Sequence, residues 1–320
     1  MTAEIVTFAN DTHYYEGTRI TFMKTGLKMA GLLFRPAPFD EKKAYPAIVV
    51  THPGGGVKEQ VASLYAWNLA KEGYVTLAFD ASYQGESEGL PRHLEDPFSR
   101  VEDIRAAIDY LTAQPFVDAD KIGAMGVCAG GGYTMSAVQT DIRIKAAAGI
   151  SSWNVGDWIR DGIPPKGKNA ELTTALKRAA DCRMREARGE ETICIGYVPN
   201  SPDEFTDETP VIMKEASEYY MTPRCAYPTA VNKIAVQSLD RLAAFDAWQY
   251  LDTVSPRPIL LIVGSRADTR YFSEAAYAKA KEPKELFVID NATHVDLYDK
   301  PEFVGPAVAK LTEFFNTYVK

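Results

Sequence analysis

The sequence predicts an α/β fold with a mostly parallel central sheet flanked by helices. Short apolar segments of strand length alternate along the chain with segments whose apolar residues recur every three or four positions. The strands are apolar on both faces, as in parallel sheets that helices cover on each side. One segment, residues 151–238, interrupts this alternation and has helical patterning. We therefore expect a core from 1–150 and 239–320, with a helical lid inserted at 151–238.

The first elements form an antiparallel edge. Residues 18–24 and 27–34 are rich in β-branched and aromatic side chains, and Thr25-Gly26 between them predicts a turn. The near-continuous apolar run 46–51 then predicts a buried strand, which a glycine-rich turn follows. This hairpin is expected beside the parallel part of the sheet.

The remaining core elements follow in alternation. Further strands are predicted at 74–80, 121–127, 144–150, 258–264 and 285–290. Helices are predicted at 58–72, 98–111, after 128, and near 240–252, 272–282 and 302–319. In the insertion, Leu172, Leu176, Ala179 and Cys182 share a helical face. Ser201 to Glu204 has the spacing of a capping box with proline at the first helical position.

Composition excludes several classes of function. The 320 residues are 46% hydrophobic and 24% charged, with a net charge of −8. This acidic balance argues against nucleic-acid or membrane partners. No apolar run is long enough to span a membrane, and the N-terminus lacks a basic region followed by an apolar stretch. We expect a cytoplasmic protein, either monomer or homodimer.

Four cysteines (128, 182, 194 and 225) are too few for a disulfide framework, and none forms a C-x-x-C pair. The sequence therefore indicates no metal site, and no motif in it calls for a cofactor. Cys182, Cys194 and Cys225 are interpreted as structural or surface thiols.

The strongest chemical signal is the segment Gly126-Val-Cys128-Ala-Gly130, between a predicted strand and a predicted helix. Flanking glycines allow the sharp turn of a nucleophile elbow, which exposes the central side chain at the end of the strand. The helix N-terminus beside Cys128 favours a thiolate, the reactive form. The alternative is a small cysteine buried among glycines.

A thiol nucleophile needs a base and a group that orients the base. Of the histidines at 13, 52, 93 and 294, only His294 lies in the loop after the last predicted strand. Asp268 lies in the loop after the preceding strand, so both residues are expected at the sheet edge that carries Cys128. Asp290 and Asp296 are nearby carboxylates that remain alternatives to Asp268.

Residues 52–56 (His-Pro-Gly-Gly-Gly) follow the first central strand, where an oxyanion-hole amide is expected. Amides of Gly54, Gly55 or Gly56 together with that of Ala129 would supply two donors. His52 is interpreted as a loop or pocket residue, and Tyr83, after the next strand, as a candidate substrate contact. The aromatic and sulfur side chains of the insertion are candidates for an apolar pocket, namely Trp153, Trp158, Tyr219, Tyr220 and Met221.

The nucleophile–acid–histidine order and these loops resemble the α/β-hydrolase superfamily. The cysteine elbow is similar to that of the dienelactone hydrolase-like branch. Segments 52–56, 80–87, 126–131 and 264–271 also resemble uncharacterised bacterial hydrolases and fungal polyketide transferases. The resemblance covers residues 18–150 and 240–320. It implies Cys128 as nucleophile, His294 as base and Asp268 as orienting acid. Compact dienelactone hydrolases lack an insertion like 151–238, so the resemblance does not imply a dienelactone substrate.

The expected function is hydrolysis of an ester, lactone or thioester of a small molecule through an acyl-cysteine. An acyltransferase using the same triad, with an alcohol or amine as acceptor, is the first alternative. A non-catalytic ligand-binding protein on the same fold is the second.

Overall fold

A computed structural model describes residues 4–10 and 14–320. His13 and the first three residues, on which the N-terminal prediction depends, lie outside the described residues. The core is a nine-stranded sheet with strand order β1-β2-β3-β5-β4-β6-β7-β10-β11. Its strands are β1 (Ile5–Ala9), β2 (Tyr14–Lys24), β3 (Leu27–Phe34), β4 (Tyr45–Thr51), β5 (Val75–Phe79), β6 (Val117–Val127), β7 (Ile144–Ile150), β10 (Ile259–Gly264) and β11 (Lys284–Ile289).

The antiparallel edge predicted from the first hairpin is present. Strands β1, β2, β3 and β5 pair antiparallel in that order, and every other pair in this sheet is parallel. The sequence pattern did not predict β1, which is a short, partly exposed edge strand with little apolar alternation to reveal it. Strands β4, β5, β7 and β10 and the second half of β6, from Ile122 onward, are almost entirely buried, which explains their continuous apolar character.

Helices cover the sheet and connect its parallel strands. Those of the core are α1 (Val61–Lys71), α2 (Pro97–Thr112), α3 (Ala129–Thr140), α7 (Ser238–Ala243), α8 (Arg270–Lys279), α9 (Asp296–Asp299) and α10 (Pro301–Tyr318). The helix predicted near 240–252 is shorter than expected. After α7 the chain forms turns, including one 3-10 turn at Leu251–Thr253. The apolar residues between them are buried although their backbone is not helical.

The interrupting segment is mostly helical in its regular structure. It contains α4 (Val155–Asp161), α5 (Leu172–Ala187) and α6 (Val211–Met221), and a small sheet of β8 (Cys194–Ile195) and β9 (Ile234–Ala235). On α5 the buried face carries Ala179 and Cys182 as predicted, but Leu176 is 41% exposed and Ala175 is buried instead.

The predicted capping box at 201–204 does not form. Pro202–Glu204 is a single 3-10 turn, and the Ser201 side chain makes no capping hydrogen bond. The Glu204 carboxylate accepts a hydrogen bond from the Asn200 amide instead. None of the helices within residues 4–10 and 14–320 is long and apolar enough to cross a membrane.

Candidate active site

Strand register places the elements of the site side by side. Strand β6 lies between β4 and β7, with Thr51 and Gly149 both opposite Gly126, near the ends of their strands. Loops leaving the carboxyl ends of parallel strands meet at one edge of a sheet. The oxyanion loop after β4, the elbow after β6 and the His294 loop after β11 therefore share that edge.

The elbow at Cys128 has the strained backbone that its sequence predicts. Cys128 has φ 57° and ψ −123°, a conformation that non-glycine residues rarely adopt. A Cβ at Gly126 would lie 2.1 Å from the Gly130 carbonyl oxygen, and a Cβ at Gly130 would lie 2.4 Å from the Thr51 carbonyl oxygen. The turn is this tight because both flanking residues are glycine.

Two backbone amides reach the thiol of Cys128. These amides belong to Ala129, at the start of α3, and to Gly54, in the loop after β4. The other two glycines of that loop have different roles. The Gly56 N–H donates to the Pro53 carbonyl at 3.2 Å, and Gly55, at φ +71°, lies against the ring of Tyr197. Gly54 and Ala129 are thus the two predicted donors that the structure brings together at Cys128.

The predicted thiolate is not favoured in this environment. Burial raises the pKa of Cys128 to about 11, and hydrogen bonds from Tyr298 and the two amides only partly offset that effect. The helix N-terminus acts in the expected direction, since the Ala129 amide lowers the pKa, but the cost of removing a thiolate from water outweighs it. The net shift therefore favours the neutral thiol.

His294 lies in the loop after β11, at the sheet edge where the candidate base was expected, and it is fully buried. Its Nδ1 is 2.5 Å from Thr269 Oγ1, and its Nε2 is 3.2 Å from the hydroxyl of Tyr298. Burial lowers the pKa of His294 to about 3, so the imidazole is neutral at rest. Both ring nitrogens face hydroxyl groups, and in the tautomer that carries its proton on Nδ1 the Nε2 lone pair can accept a proton.

The predicted acid, Asp268, does not reach His294. Its carboxylate accepts a hydrogen bond from the Ile212 amide at 3.0 Å, at the start of α6. The two alternatives are also elsewhere, because Asp290 is exposed and Asp296 pairs with Lys300 at 2.6 Å. In the described part of the chain no carboxylate forms a hydrogen bond with the imidazole, and the neighbouring hydroxyl of Thr269 takes that position.

Tyr298, which the sequence did not predict, lies beside both Cys128 and His294. It is on α9, four residues after His294, and its hydroxyl is next to the Cys128 thiol and 3.2 Å from His294 Nε2. The i, i+4 spacing from His294 was the available signal, since it places two side chains on one side of a helical turn. That spacing alone does not show which way the ring points.

An apolar cavity opens above Cys128. The interrupting segment contributes Trp153, Trp158 and Tyr220 to its lining, as predicted, together with residues that were not predicted, including Tyr197, Ile212 and Met213. Tyr219 and Met221 are not among the lining residues. Tyr83 is also not among them: it lies at φ 72° in the loop after β5, where its ring packs on Gly89. The structure does not bring it to the cavity beside Cys128.

Beneath the oxyanion loop lies a buried polar cluster. Glu95, 2% exposed, accepts hydrogen bonds from Tyr133 at 2.6 Å and from Tyr197 at 2.7 Å, and Arg100 lies 3.6 Å from it. Arg100 also donates to the His52 carbonyl at 2.6 Å. The cluster ties the interrupting segment, through Tyr197, to the core.

His52 is a supporting residue of this loop and not a pocket residue. Its Nδ1 lies 2.6 Å from the Pro53 carbonyl, and its Nε2 accepts from the Ala81 amide at 3.1 Å. Burial and the neighbouring Arg100 lower its pKa well below the usual value, so the ring stays neutral. Of the two places expected for His52, loop or pocket, the structure gives the loop. Among the described residues, no cluster of histidine, cysteine and carboxylate side chains is arranged to hold a metal ion.

Known proteins match both the sequence and the fold. The profile of the Dienelactone hydrolase family matches residues 29–153. The uncharacterized protein YcjY of Escherichia coli strain K12 is 40% identical over 291 residues, covering 90% of this chain and 94% of YcjY. The chain belongs to the dienelactone hydrolase family.

Solved structures agree with the family assignment. The crystal structure of hypothetical protein PA2218 from Pseudomonas aeruginosa has a TM-score of 0.87 and 35% identity, covering 94% of this chain and 92% of that one. The protein is thus a hydrolase with the α/β-hydrolase fold.

Two fungal relatives carry names that state an activity. Thiohydrolase apmlB of Arthrinium phaeospermum is 25% identical over 83% of this chain and 87% of its own length. Acyltransferase drtE of Aspergillus calidoustus is 23% identical over 87% of this chain and 88% of its own length. The similar proteins thus include one named a thiohydrolase and one named an acyltransferase.

Proposed function

We propose that this dienelactone hydrolase-family protein cleaves thioesters and activated esters of small molecules through an acyl intermediate on Cys128. The observation that carries the proposal is the elbow, where a strained cysteine meets the amides of Gly54 and Ala129 at the floor of an apolar cavity. The name of thiohydrolase apmlB supports a thioester substrate.

The two amides suit a reaction in which a carbonyl oxygen becomes negative. When the sulfur attacks a carbonyl carbon, the oxygen of the tetrahedral intermediate takes the place beside the amides that the thiol now occupies. A single preorganised donor of this kind contributes about 10²- to 10³-fold to the rate. This donor pair favours acyl transfer over a reaction that develops no oxyanion.

The chemistry of the nucleophile favours esters and thioesters over amides. A tetrahedral intermediate expels its better leaving group, and a group with a lower pKa leaves faster. An amide nitrogen leaves less readily than the Cys128 sulfur, so the intermediate from an amide returns to substrate. A thiol or phenol leaves well and commits the acyl group to Cys128.

The apolar cavity suits the acyl part of the substrate. Residues 151–238 supply most of the side chains that face Cys128 from above, including Trp158, Ile212 and Met213. We propose that this segment acts as a lid over the acyl group and keeps water from the intermediate until the leaving group departs. His294 acts as the general base in both half-reactions.

The experiment measures turnover of p-nitrophenyl butanoate and of S-butanoyl-N-acetylcysteamine by the wild type and Cys128→Ala. Acid-quenched protein is analysed by peptide mass spectrometry. The wild type should turn over both substrates and carry one butanoyl group on the peptide containing Cys128. Cys128→Ala should lose turnover and label. Cys194→Ala, at a half-buried thiol of the small β8–β9 sheet, is the matched control. Retained turnover in Cys128→Ala would refute the proposal.

Acyl transfer to an alcohol or amine is the second candidate, and the relative acyltransferase drtE favours it. The acyl-Cys128 intermediate is the same, and only the group that attacks it differs. Product analysis with millimolar alcohol or amine acceptors separates the two: free acid indicates hydrolysis, and acylated acceptor indicates transfer. Absence of turnover and of label on every substrate would favour the ligand-binding alternative.

A further inference from the structure

The hydroxyl of Tyr298 lies between the sulfur of Cys128 and the imidazole of His294. It lies beside the thiol, in the lining of the same cavity, and it is 3.2 Å from His294 Nε2. No hydrogen bond joins Cys128 and His294 directly in the described residues. The arrangement differs from a nucleophile that contacts its base without an intermediary.

We propose that Tyr298 is a catalytic residue that relays the proton between Cys128 and His294. The inference rests on the proposed function, since it describes how the acyl-cysteine forms. The geometry points to it because one hydroxyl, which can donate and accept at the same time, touches both reacting groups.

The relay balances in both directions. As the Cys128 sulfur forms a bond to the carbonyl carbon, its proton passes to Tyr298 Oη, and the phenolic proton passes to His294 Nε2. The carbonyl π electrons move onto the oxygen beside the Gly54 and Ala129 amides. When the carbonyl re-forms, the C–S or C–O bond of the leaving group breaks. The imidazolium returns its proton through Tyr298 to that leaving group.

The surroundings of Tyr298 hold the hydroxyl in place. Tyr298 is 2% exposed, and its ring packs edge-on against Tyr219 with ring centres 5.1 Å apart. The His294 ring is held from its other side by Thr269 Oγ1 at 2.5 Å. Both ends of the relay are therefore fixed before substrate binds, which is what a proton transfer through a hydroxyl needs.

The two endpoints also favour a transfer in which both protons move with S–C bond formation. Burial disfavours a free thiolate at Cys128 and a free imidazolium at His294. A stepwise route would first form a buried thiolate beside the imidazolium. Moving the protons as the sulfur attacks avoids that thiolate, because the negative charge that balances the imidazolium then forms on the carbonyl oxygen, where two amides receive it.

The experiment compares wild type, Tyr298→Phe and Tyr219→Phe in the acylation burst of p-nitrophenyl butanoate by stopped flow. Tyr298→Phe keeps the ring but removes the relay, and its acylation rate should fall by about 100-fold or more. The substrate concentration that gives half of the maximal burst rate should change little. Tyr219→Phe is the control. Its hydroxyl is buried beside the Cys225 thiol, away from Cys128 and His294, and the residue does not line the cavity. An unchanged acylation rate in Tyr298→Phe would overturn the relay.

A second measurement uses the wild type alone and does not depend on a variant that folds. The acylation rate is measured in mixtures of H₂O and D₂O. A relay moves two protons in one step, so a plot of the rate against deuterium fraction should bow below the straight line that joins the rates in pure H₂O and pure D₂O. A strictly linear dependence, the signature of one proton, would overturn the relay.

Failure of the relay is distinguishable from failure of the proposed function. If Cys128→Ala has no burst and Tyr298→Phe has the wild-type burst, the acyl-cysteine stands and the relay is refuted. If Cys128→Ala retains the burst, the acyl-cysteine itself is refuted.

Discussion

Thr269 holds the Nδ1 side of His294, and its substitution by valine tests which residue orients the base. Thr269→Val preserves the shape of the side chain but removes the hydroxyl that lies 2.5 Å from Nδ1. Both residues are at most 1% exposed, so water cannot replace the lost partner. The Nδ1–H is then buried without an acceptor.

The magnitude follows from the cost of that unpaired donor. Leaving a buried donor unsatisfied costs about 1–3 kcal/mol. If the cost falls on the transition state, where the imidazole becomes positive, 1.4 kcal/mol per tenfold gives a fall in kcat/KM of about 5- to 150-fold. The assay is turnover of p-nitrophenyl butanoate, with urea unfolding to confirm that the variant is folded.

Asp268→Asn provides the contrast. Asp268 accepts from the Ile212 amide at 3.0 Å, and asparagine keeps an oxygen acceptor there. The loss of charge should cost about 1 kcal/mol of stability, through weaker attachment of α6, and change kcat/KM by less than about threefold. A larger loss of kcat/KM in Asp268→Asn than in Thr269→Val would refute the reasoning and restore the carboxylate as the orienting group.

Three further predictions concern the thiol, the oxyanion loop and a buried cation. Burial raises the pKa of Cys128 to about 11, so its thiolate fraction grows tenfold per pH unit below that value. The rate of Cys128 alkylation by iodoacetamide, followed at the peptide level, should therefore rise throughout pH 7–10. A plateau of that rate below pH 8 would contradict this. Gly55→Ala places a Cβ 2.7 Å from an aromatic ring at φ +71°, and should cost about 1–3 kcal/mol in unfolding free energy and lower kcat/KM. Gly167→Ala, with no atom within 4 Å, should spare kcat/KM. Lys58→Met removes the cation that three carboxylates contact within 2.8 Å, and it should lower the free energy of unfolding in urea by about 3–5 kcal/mol. Lys121→Met, at an exposed lysine, should change that free energy by less than about 0.5 kcal/mol.

Much of the site could be predicted from strand ends. The apolar runs located β4, β6, β10 and β11. A residue with a reactive side chain that follows such a strand must lie near the sheet edge where the parallel strands end. This reasoning placed Cys128, Gly54 and His294 together, because it depends only on chain direction. The glycine spacing around Cys128 predicted the elbow for an equally local reason.

Side-chain partners were harder to predict. Asp268 and Thr269 are adjacent in the chain, and a rotation of the backbone by one residue decides which of them faces His294 Nδ1. Tyr83 lay on the expected strand end but packs on its own turn. Tyr298 had the right spacing on a helix of only four residues, too short for a periodic pattern to reveal.

The sequence by itself determined the α/β sheet, the position of the cysteine elbow, and the order along the chain of the candidate active-site residues that follow the strands. These depend on local periodicity and on the direction in which each strand runs. Only the tertiary structure decided the protonation of Cys128 and His294, the partner of Nδ1 and the place of Tyr298. Those properties depend on how much water is excluded and on which side chains, distant in sequence, pack around each polar atom.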